Sequence, residues 1–99
     1  MSFSNSSQKI TINKNLLSCL CQKKDGSWVE ASIDLDNHIG NKNGELVWGG
    51  KNFSHSSQDI TVDYNVLRCQ AKDKNGEPND TMIDLDEKIS NSNGILKHK

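Results

Sequence analysis

The stretch IDLDNHIGNKNGELVW, residues 33–48, returns fifty residues later as IDLDEKISNSNGILKH, residues 83–98. Aligning residues 3–49 with residues 53–99 needs no gap and gives 21 identical residues in 47 pairs. Self-similarity at a fixed period is the signature of a tandem duplication. The chain therefore consists of two copies of one unit. The two sequence repeats are residues 1–50 and 51–99.

Each unit alternates apolar and polar residues with the period of a β-strand, which indicates an all-β fold. Three such segments follow one another in each unit, so the pattern predicts a three-stranded meander. In the first unit, the residues that would share one face of each strand are Ile10 and Ile12, then Leu17, Cys19 and Cys21, then Val29, Ala31 and Ile33.

Asn-Gly and Asp-Gly pairs favour tight hairpin turns because both residues can adopt a positive φ. These pairs predict two hairpin turns in each unit, at Asp25-Gly26, Asn43-Gly44, Asn75-Gly76 and Asn93-Gly94. Between them the IDLD motif predicts one short helical turn, with Asp36 or Asp86 as its N-cap.

A unit of about fifty residues without a disulfide or a metal is too small to be stable alone. The two copies are therefore expected to share a core, either side by side or by exchanging their hairpins. Gly49 and Gly50 form a flexible junction where such an exchange could also become intermolecular. We expect a monomer, with a domain-swapped dimer as the alternative.

The composition excludes several classes of partner. The net charge is −1 and the acidic and basic residues are interleaved, so neither nucleic acid nor an anionic membrane is an expected partner. Cys19, Cys21 and Cys69 match no redox or zinc spacing, so we expect reduced thiols and no cofactor. Without a signal-like or membrane-spanning segment, the expected location is the cytoplasm.

The doubled IDLD block, the FSNSS and FSHSS starts of the two units and the WGGKNF junction resemble the cyanovirin-N homolog (CVNH) family of mannose-binding lectins. The resemblance covers essentially the whole chain. It implies a pseudo-twofold protein in which each half combines a three-stranded antiparallel sheet of one repeat with the hairpin of the other. The halves would be residues 1–38 with 89–99, and residues 39–88.

The resemblance also implies binding of terminal α1,2-linked mannose on high-mannose glycans, without a metal and without catalysis. One polar, loop-borne site is implied in each half. The implied residues of the first site are Ser2, Asn5, Ser6, Gln22, Lys23, Lys24, Asp25, Asn91, Ser92 and Asn93. Those of the second site are Gly40, Asn41, Lys42, Asn43, Lys51, Asn52, His55, Ser56, Lys72, Asp73 and Lys74.

The chain departs from the family in ways that bear on stability and affinity. The positions of the two family disulfides hold Ser7 with Cys21 and Ser57 with Ala71, so neither bridge can form. Gly40 and Gln22 stand where strong binders have an acid. Lys74 replaces an arginine-like arm and lacks its planar fork, which weakens the second site.

Other chemistries fit the sequence less well. The acid pairs Asp34/Asp36 and Asp84/Asp86 could indicate a glycosidase, but their duplication indicates caps and turns. A calcium loop is rejected because Ile39 stands where glycine is required. The alternative to a lectin is a structural or protein-interaction module of the same fold with weak or lost sugar affinity.

The remaining aromatic and polar residues have ordinary structural explanations. Trp48 is predicted to lie in the core, whereas Trp28 is a weaker candidate for stacking on a sugar ring. His38, His55 and His98 have no metal-ligand spacing. The asparagines that precede glycine are assigned first to turns, with sugar binding as their alternative.

Overall fold

The computed structural model describes residues 3–98, and these fold into ten β-strands and four short 3₁₀ helices. The all-β class is confirmed. The strands are β1 Ser7–Asn13, β2 Leu16–Gln22, β3 Trp28–Asp34, β4 Ile39–Lys42, β5 Glu45–Trp48, β6 Ser57–Asp63, β7 Val66–Lys72, β8 Pro78–Asp84, β9 Ile89–Ser92 and β10 Ile95–His98. The 3₁₀ helices are Phe3–Ser6, Leu35–Asn37, Phe53–Ser56 and Leu85–Glu87.

The two copies exchange their hairpins. Strands β1, β2 and β3 form one antiparallel sheet, and β6, β7 and β8 form its counterpart from the second repeat. The β4–β5 hairpin of the first repeat packs against β8, whereas the β9–β10 hairpin of the second repeat packs against β3. The shared core is therefore built by exchange rather than by side-by-side packing, as the resemblance implied.

The core holds equivalent apolar residues from both repeats. Leu17, Cys19 and Cys21 are buried along one face of β2, as the alternation predicted. Burial raises the pKa of the Cys19 thiol to about 12, and all three cysteines are free thiols. Phe3 and Phe53 are fully buried at equivalent positions. The molecule is elongated, with principal extents of 50 × 21 × 16 Å.

Two aspartates join the repeats. Asp36 of the first repeat accepts hydrogen bonds from the backbone N–H of Ser54 at 3.0 Å and from its hydroxyl. Asp86 of the second repeat makes the same pair of bonds to Ser4. Each bond spans the two halves of the sequence, so these carboxylates fix the repeats relative to each other.

The helical caps differ from the prediction by two residues. Asp34, not Asp36, is the N-cap of the 3₁₀ helix Leu35–Asn37, and its side chain accepts from the backbone N–H of Asp36. Asp84 caps the second copy in the same way. The first acid of each IDLD motif is therefore the cap, which leaves the second acid free to bind across the repeats.

The predicted hairpins form by two kinds of turn. Asn43-Gly44 and Asn93-Gly94 are two-residue turns in which both residues have positive φ, as predicted. The β2–β3 connection instead spans residues 23–27, between the paired Gln22 and Trp28. In it only the glycine of the Asp25-Gly26 pair takes a positive φ, and the Asp25 carboxylate accepts from the N–H of Ser27. Residues 73–77 repeat the arrangement around Asn75-Gly76.

Four strained positions had no signal in the sequence. Lys9 and Asp59 have positive φ values at irregularities where β1 and β6 shift register against their partners. Lys14 and Tyr64 have positive φ in the turns that follow these strands. Lysine and tyrosine rarely adopt this conformation, so composition does not reveal such turns. Within residues 3–98, no helix has the length and apolar character needed to cross a membrane.

Candidate functional site

The first predicted site is assembled from three separate segments. Asn91 in β9 donates through Nδ2 to the hydroxyl of Ser6 and to the backbone oxygen of Gln22, both at 2.9 Å. Asn93 accepts the backbone N–H of Lys24 at 2.9 Å. The structure therefore brings together the segments that hold Asn5, Ser6, Gln22, Lys23, Lys24, Asp25, Asn91, Ser92 and Asn93. Ser2 lies outside the described residues.

The second predicted site repeats this construction in the other half. Asn41 in β4 donates through Nδ2 to the hydroxyl of Ser56 at 2.8 Å and to the backbone oxygen of Lys72 at 2.9 Å. Asn43 accepts the N–H of Lys74 at 2.9 Å. These bonds join the segments that hold Gly40, Asn41, Lys42, Asn43, Lys51, Asn52, His55, Ser56, Lys72, Asp73 and Lys74.

The central asparagines act as a framework for both sites. The Oδ1 of Asn41 accepts the N–H of Gly44, and that of Asn91 accepts the N–H of Gly94, each at 2.8 Å. With both Nδ2 bonds also made, the amide groups of Asn41 and Asn91 are used within the protein. Their contribution is to hold three loops in place, which is the preorganisation that a binding site on loops needs.

Two carboxylates stabilise the loops that carry the lysines. Asp25 accepts from both the hydroxyl and the N–H of Ser27, and these bonds hold the pKa of Asp25 below its ordinary value. Asp73 accepts the N–H groups of Asn75 and Glu77 at 2.9 and 3.0 Å. Both acids therefore shape a loop, and one carboxylate oxygen of each is occupied.

Gly40 contributes only backbone to the second site. A Cβ at this position would lie 2.9 Å from the Cα of Gly50 and 3.0 Å from the nitrogen of Lys51. The backbone also forms a bridge to Asn52. A side chain at residue 40 would therefore clash with the backbone of Gly50 and Lys51 in this packing, a constraint that the sequence alone did not reveal.

Several site side chains remain exposed and make no side-chain hydrogen bond within residues 3–98. In the first site these are Asn5, Lys24 and Ser92. In the second they are Lys42, Lys51, Asn52, Lys72 and Lys74. Amide, hydroxyl and ammonium groups of this kind can donate to or accept from neutral hydroxyls. His55 is also exposed, with Nε2 3.9 Å from a carboxylate oxygen of Asp36.

The structure connects two histidines that sequence spacing left apart. The rings of His38 and His98 stack with centroids 4.4 Å apart and planes within 4°. Trp48 lies against His98 at 5.6 Å and is partly buried against the core. Parallel stacked rings do not converge on a metal, and residues 3–98 hold no cluster of three or more metal-ligating side chains. This contact arises from the exchanged fold, which brings the ends of β5 and β10 together.

The histidine stack predicts a loss of stability in mild acid. Burial, and then the neighbouring His98, lower the pKa of His38 below its ordinary value of 6.5, against the opposing effect of Asp34. The unfolded chain therefore binds this proton more readily, so stability falls as the pH drops through 6.5 toward the lower folded pKa. We expect thermal melts between pH 7 and pH 5 to show a smaller fall in Tm for His38→Gln than for the unchanged protein. Equal slopes would contradict the assignment, and His55→Gln is the exposed control.

A doubled β unit with exchanged hairpins and an equivalent set of polar loops in each repeat defines a pseudo-twofold β-sheet protein. The chain belongs to the CVNH family, because the CVNH domain profile of that family matches residues 3–97. This match confirms the resemblance found in the repeated sequence motifs.

Known proteins of this family resemble the chain in sequence and fold. A cyanovirin-N homolog of Tuber borchii is 43% identical over 54 residues, which is 52% of each protein, so this match spans about half of that relative. The structure of the T. borchii CVNH is 39% identical, covers all of both chains and has a TM-score of 0.91. The microvirin:mannobiose complex is 32% identical over 99% of this chain and 98% of that chain, with a TM-score of 0.85. A MoCVNH3 variant in complex with (N-GlcNAc)4 is 26% identical over 98% and 96%, with a TM-score of 0.92.

Proposed function

We propose that the protein is a non-catalytic lectin that binds mannose-type oligosaccharides ending in α1,2-linked mannose, with one site in each half. The observation that carries the proposal is the repeated three-segment construction, in which Asn91 and Asn41 hold equivalent loops with the same hydrogen bonds. Exposed polar side chains on fixed loops suit the recognition of neutral hydroxyls. The mannobiose complex of microvirin, a relative of the same fold, supports mannose as the sugar.

The proposal includes the arrangement around the sites. We assign the first site to a half made of residues 1–38 with 89–99 and the second to residues 39–88. Two sites on one elongated monomer would give avidity toward branched high-mannose glycans. The acids do not form a catalytic pair in this scheme, because Asp34 and Asp36 are both bound to groups of the protein. Free thiols agree with a cytoplasmic location.

An NMR titration tests the function directly. With an α1,2-linked dimannoside, we expect the backbone amides of Asn5, Lys24 and Asn93 to shift if the first site binds. Shifts at Asn52, His55 and Lys74 would report the second site. An α1,6-linked dimannoside and an N-acetylglucosamine oligomer serve as controls for linkage and sugar. No shift at millimolar α1,2-dimannoside would reject the mannose proposal and favour a protein-interaction module.

Each site supplies a control for the other. Lys24→Ala and Lys74→Ala remove equivalent lysines, whose backbones are held by Asn93 and Asn43. Each variant is expected to weaken sugar binding roughly three- to tenfold at its own site, the effect of losing one polar contact. The shifts of the unaltered site should stay unchanged.

A further inference from the structure

Two of the buried thiols lie against each other on one strand of the first sheet. Cys19 and Cys21 stand at alternate positions of β2, so their side chains share the core face. Their Sγ atoms are 3.3 Å apart. In the second repeat Ala71 takes the place of Cys21, so Cys69 has no such neighbour on its strand. The pair of thiols is therefore a property of the first half alone.

The geometry of β2 allows these thiols to form a disulfide. A strand rises about 3.2–3.4 Å per residue, which places the Cα atoms of alternate residues roughly 6.4–6.8 Å apart. The Cα atoms joined by a disulfide are usually about 4.4–6.8 Å apart. Cys19 and Cys21 thus lie at the upper end of the range. A bridge between them requires β2 to contract locally.

Cys21 also lies next to the hydrogen bonds that hold the first site together. It pairs across the sheet with Ser7, whose hydroxyl is 3.6 Å from its Sγ. The adjoining residues Ser6 and Gln22 are the two that Asn91 joins through Nδ2, each at 2.9 Å. A contraction of β2 at Cys21 therefore acts directly on the segments that form the first site.

The pairing of β1 with β2 is interrupted beside the thiols. β1 is an edge strand, and its register shifts within residues 8–11, opposite Cys19. Burial raises the pKa of Cys19, which keeps this thiol protonated and unreactive in the closed fold. Reaction with an oxidant therefore proceeds when β1 opens locally, and the irregular pairing favours such opening.

We propose that Cys19 and Cys21 form a reversible disulfide in the presence of hydrogen peroxide, and that this bridge weakens the first site while leaving the second unchanged. One thiolate attacks a peroxide oxygen, which gives a sulfenic acid and releases hydroxide; the hydroxide takes up the thiol proton to form water. The other thiol then displaces a second water molecule as the S–S bond forms. The bridge itself is independent of the proposed lectin function, whereas its effect on sugar affinity rests on that function.

Mass spectrometry after treatment with hydrogen peroxide tests the bridge. Trypsin should release residues 15–23, which contain both thiols, and place Cys69 in a separate peptide, residues 69–72. Each thiol of the 15–23 peptide should lose its hydrogen and resist alkylation until dithiothreitol is added. Thiols that remain open to alkylation, added oxygen atoms or a bridge to Cys69 would overturn the disulfide.

An NMR titration with the α1,2-linked dimannoside tests the effect on the sites. The oxidised protein should bind the sugar roughly three- to tenfold more weakly at the first site, the effect of losing one polar contact. The second site should be unaffected, and dithiothreitol should restore the first. Cys21→Ala, which gives the first sheet the residue of the second, should bind equally before and after peroxide. Cys69→Ala is the matched control and should still respond.

The possible outcomes separate the bridge from the lectin function. A bridge that leaves the affinity of the first site unchanged would overturn the switch and leave the proposed function intact. If the sugar binds neither site, the proposed function is wrong. The bridge should then still move the backbone amide of Gln22 and the side-chain amide of Asn91 in the absence of sugar, and unmoved amides would overturn the coupling as well.

Discussion

Replacing Asp36 by alanine is expected to lower the free energy of unfolding by about 4 kcal/mol. Asp36 is only 8% exposed, and its carboxylate accepts both the N–H and the hydroxyl of Ser54. A hydrogen bond to a charged group contributes about 1.5–3 kcal/mol, and its loss leaves a buried donor without a partner. Because these bonds join the two repeats, the loss weakens the whole fold. Urea unfolding followed by tryptophan fluorescence measures the change.

Asp86→Ala provides the matched comparison in the other half. Asp86 makes the same two bonds to Ser4 but is more exposed, so we expect a smaller loss of stability. Asn37→Ala, at an exposed neighbouring position, should have little effect. A double-mutant cycle of Asp36→Ala with Ser54→Ala should show strong coupling, because both variants remove the same bonds. A loss below about 1 kcal/mol for Asp36→Ala would show that water replaces these bonds.

The sequence predicts the parts of this fold that depend on local chemistry. Alternating apolar residues such as Leu17 and Cys19 identify the strands, and Asn43-Gly44 identifies a hairpin because asparagine and glycine tolerate positive φ. The positive φ of Lys9 and Tyr64 has no such signal. Tyr64 is held in its turn by distant contacts, since its hydroxyl donates to the backbone oxygens of Ser4 and Ser7. Such contacts exist only once the repeats are packed.

In the candidate sites, too, the sequence predicts some features, whereas others depend on contacts between distant residues. Family resemblance selects the segments, and the structure brings those segments together. The family resemblance does not reveal that the amides of Asn41 and Asn91 are used to hold the loops. Nor does it indicate the stacking of His38 on His98. Each of these features joins residues far apart in the chain, and no local pattern of residue types encodes it.

Gly40→Ala is expected to destabilise the monomer by about 2–3 kcal/mol, the usual cost of forcing extra atoms into a packed site. The added methyl group would meet the backbone of Gly50 at 2.9 Å and that of Lys51 at 3.0 Å. The backbone at Gly50 cannot make room for the methyl group, because the Cα of Gly50 already lies against Gly40. Moving the backbone apart would disturb the bridge to Asn52, whose N–H donates to the backbone oxygen of Asp36 at 2.8 Å.

Domain swapping would relieve this strain at low cost. The oligomeric state is therefore a more specific measurement than the stability of the monomer. Straightening the segment around Gly49 and Gly50 separates Gly40 from Gly50. The hairpin can then pair with a second chain, so Gly40→Ala should form a domain-swapped dimer at high concentration. Light scattering after size exclusion measures its mass, and Ser90→Ala, at the equivalent position of β9, is the control expected to stay monomeric. Gly40→Glu, which restores the acid of strong binders, should dimerise in the same way and fail to repair the second site in the monomer. A stable monomeric Gly40→Glu would show that the contact with Gly50 does not constrain this junction.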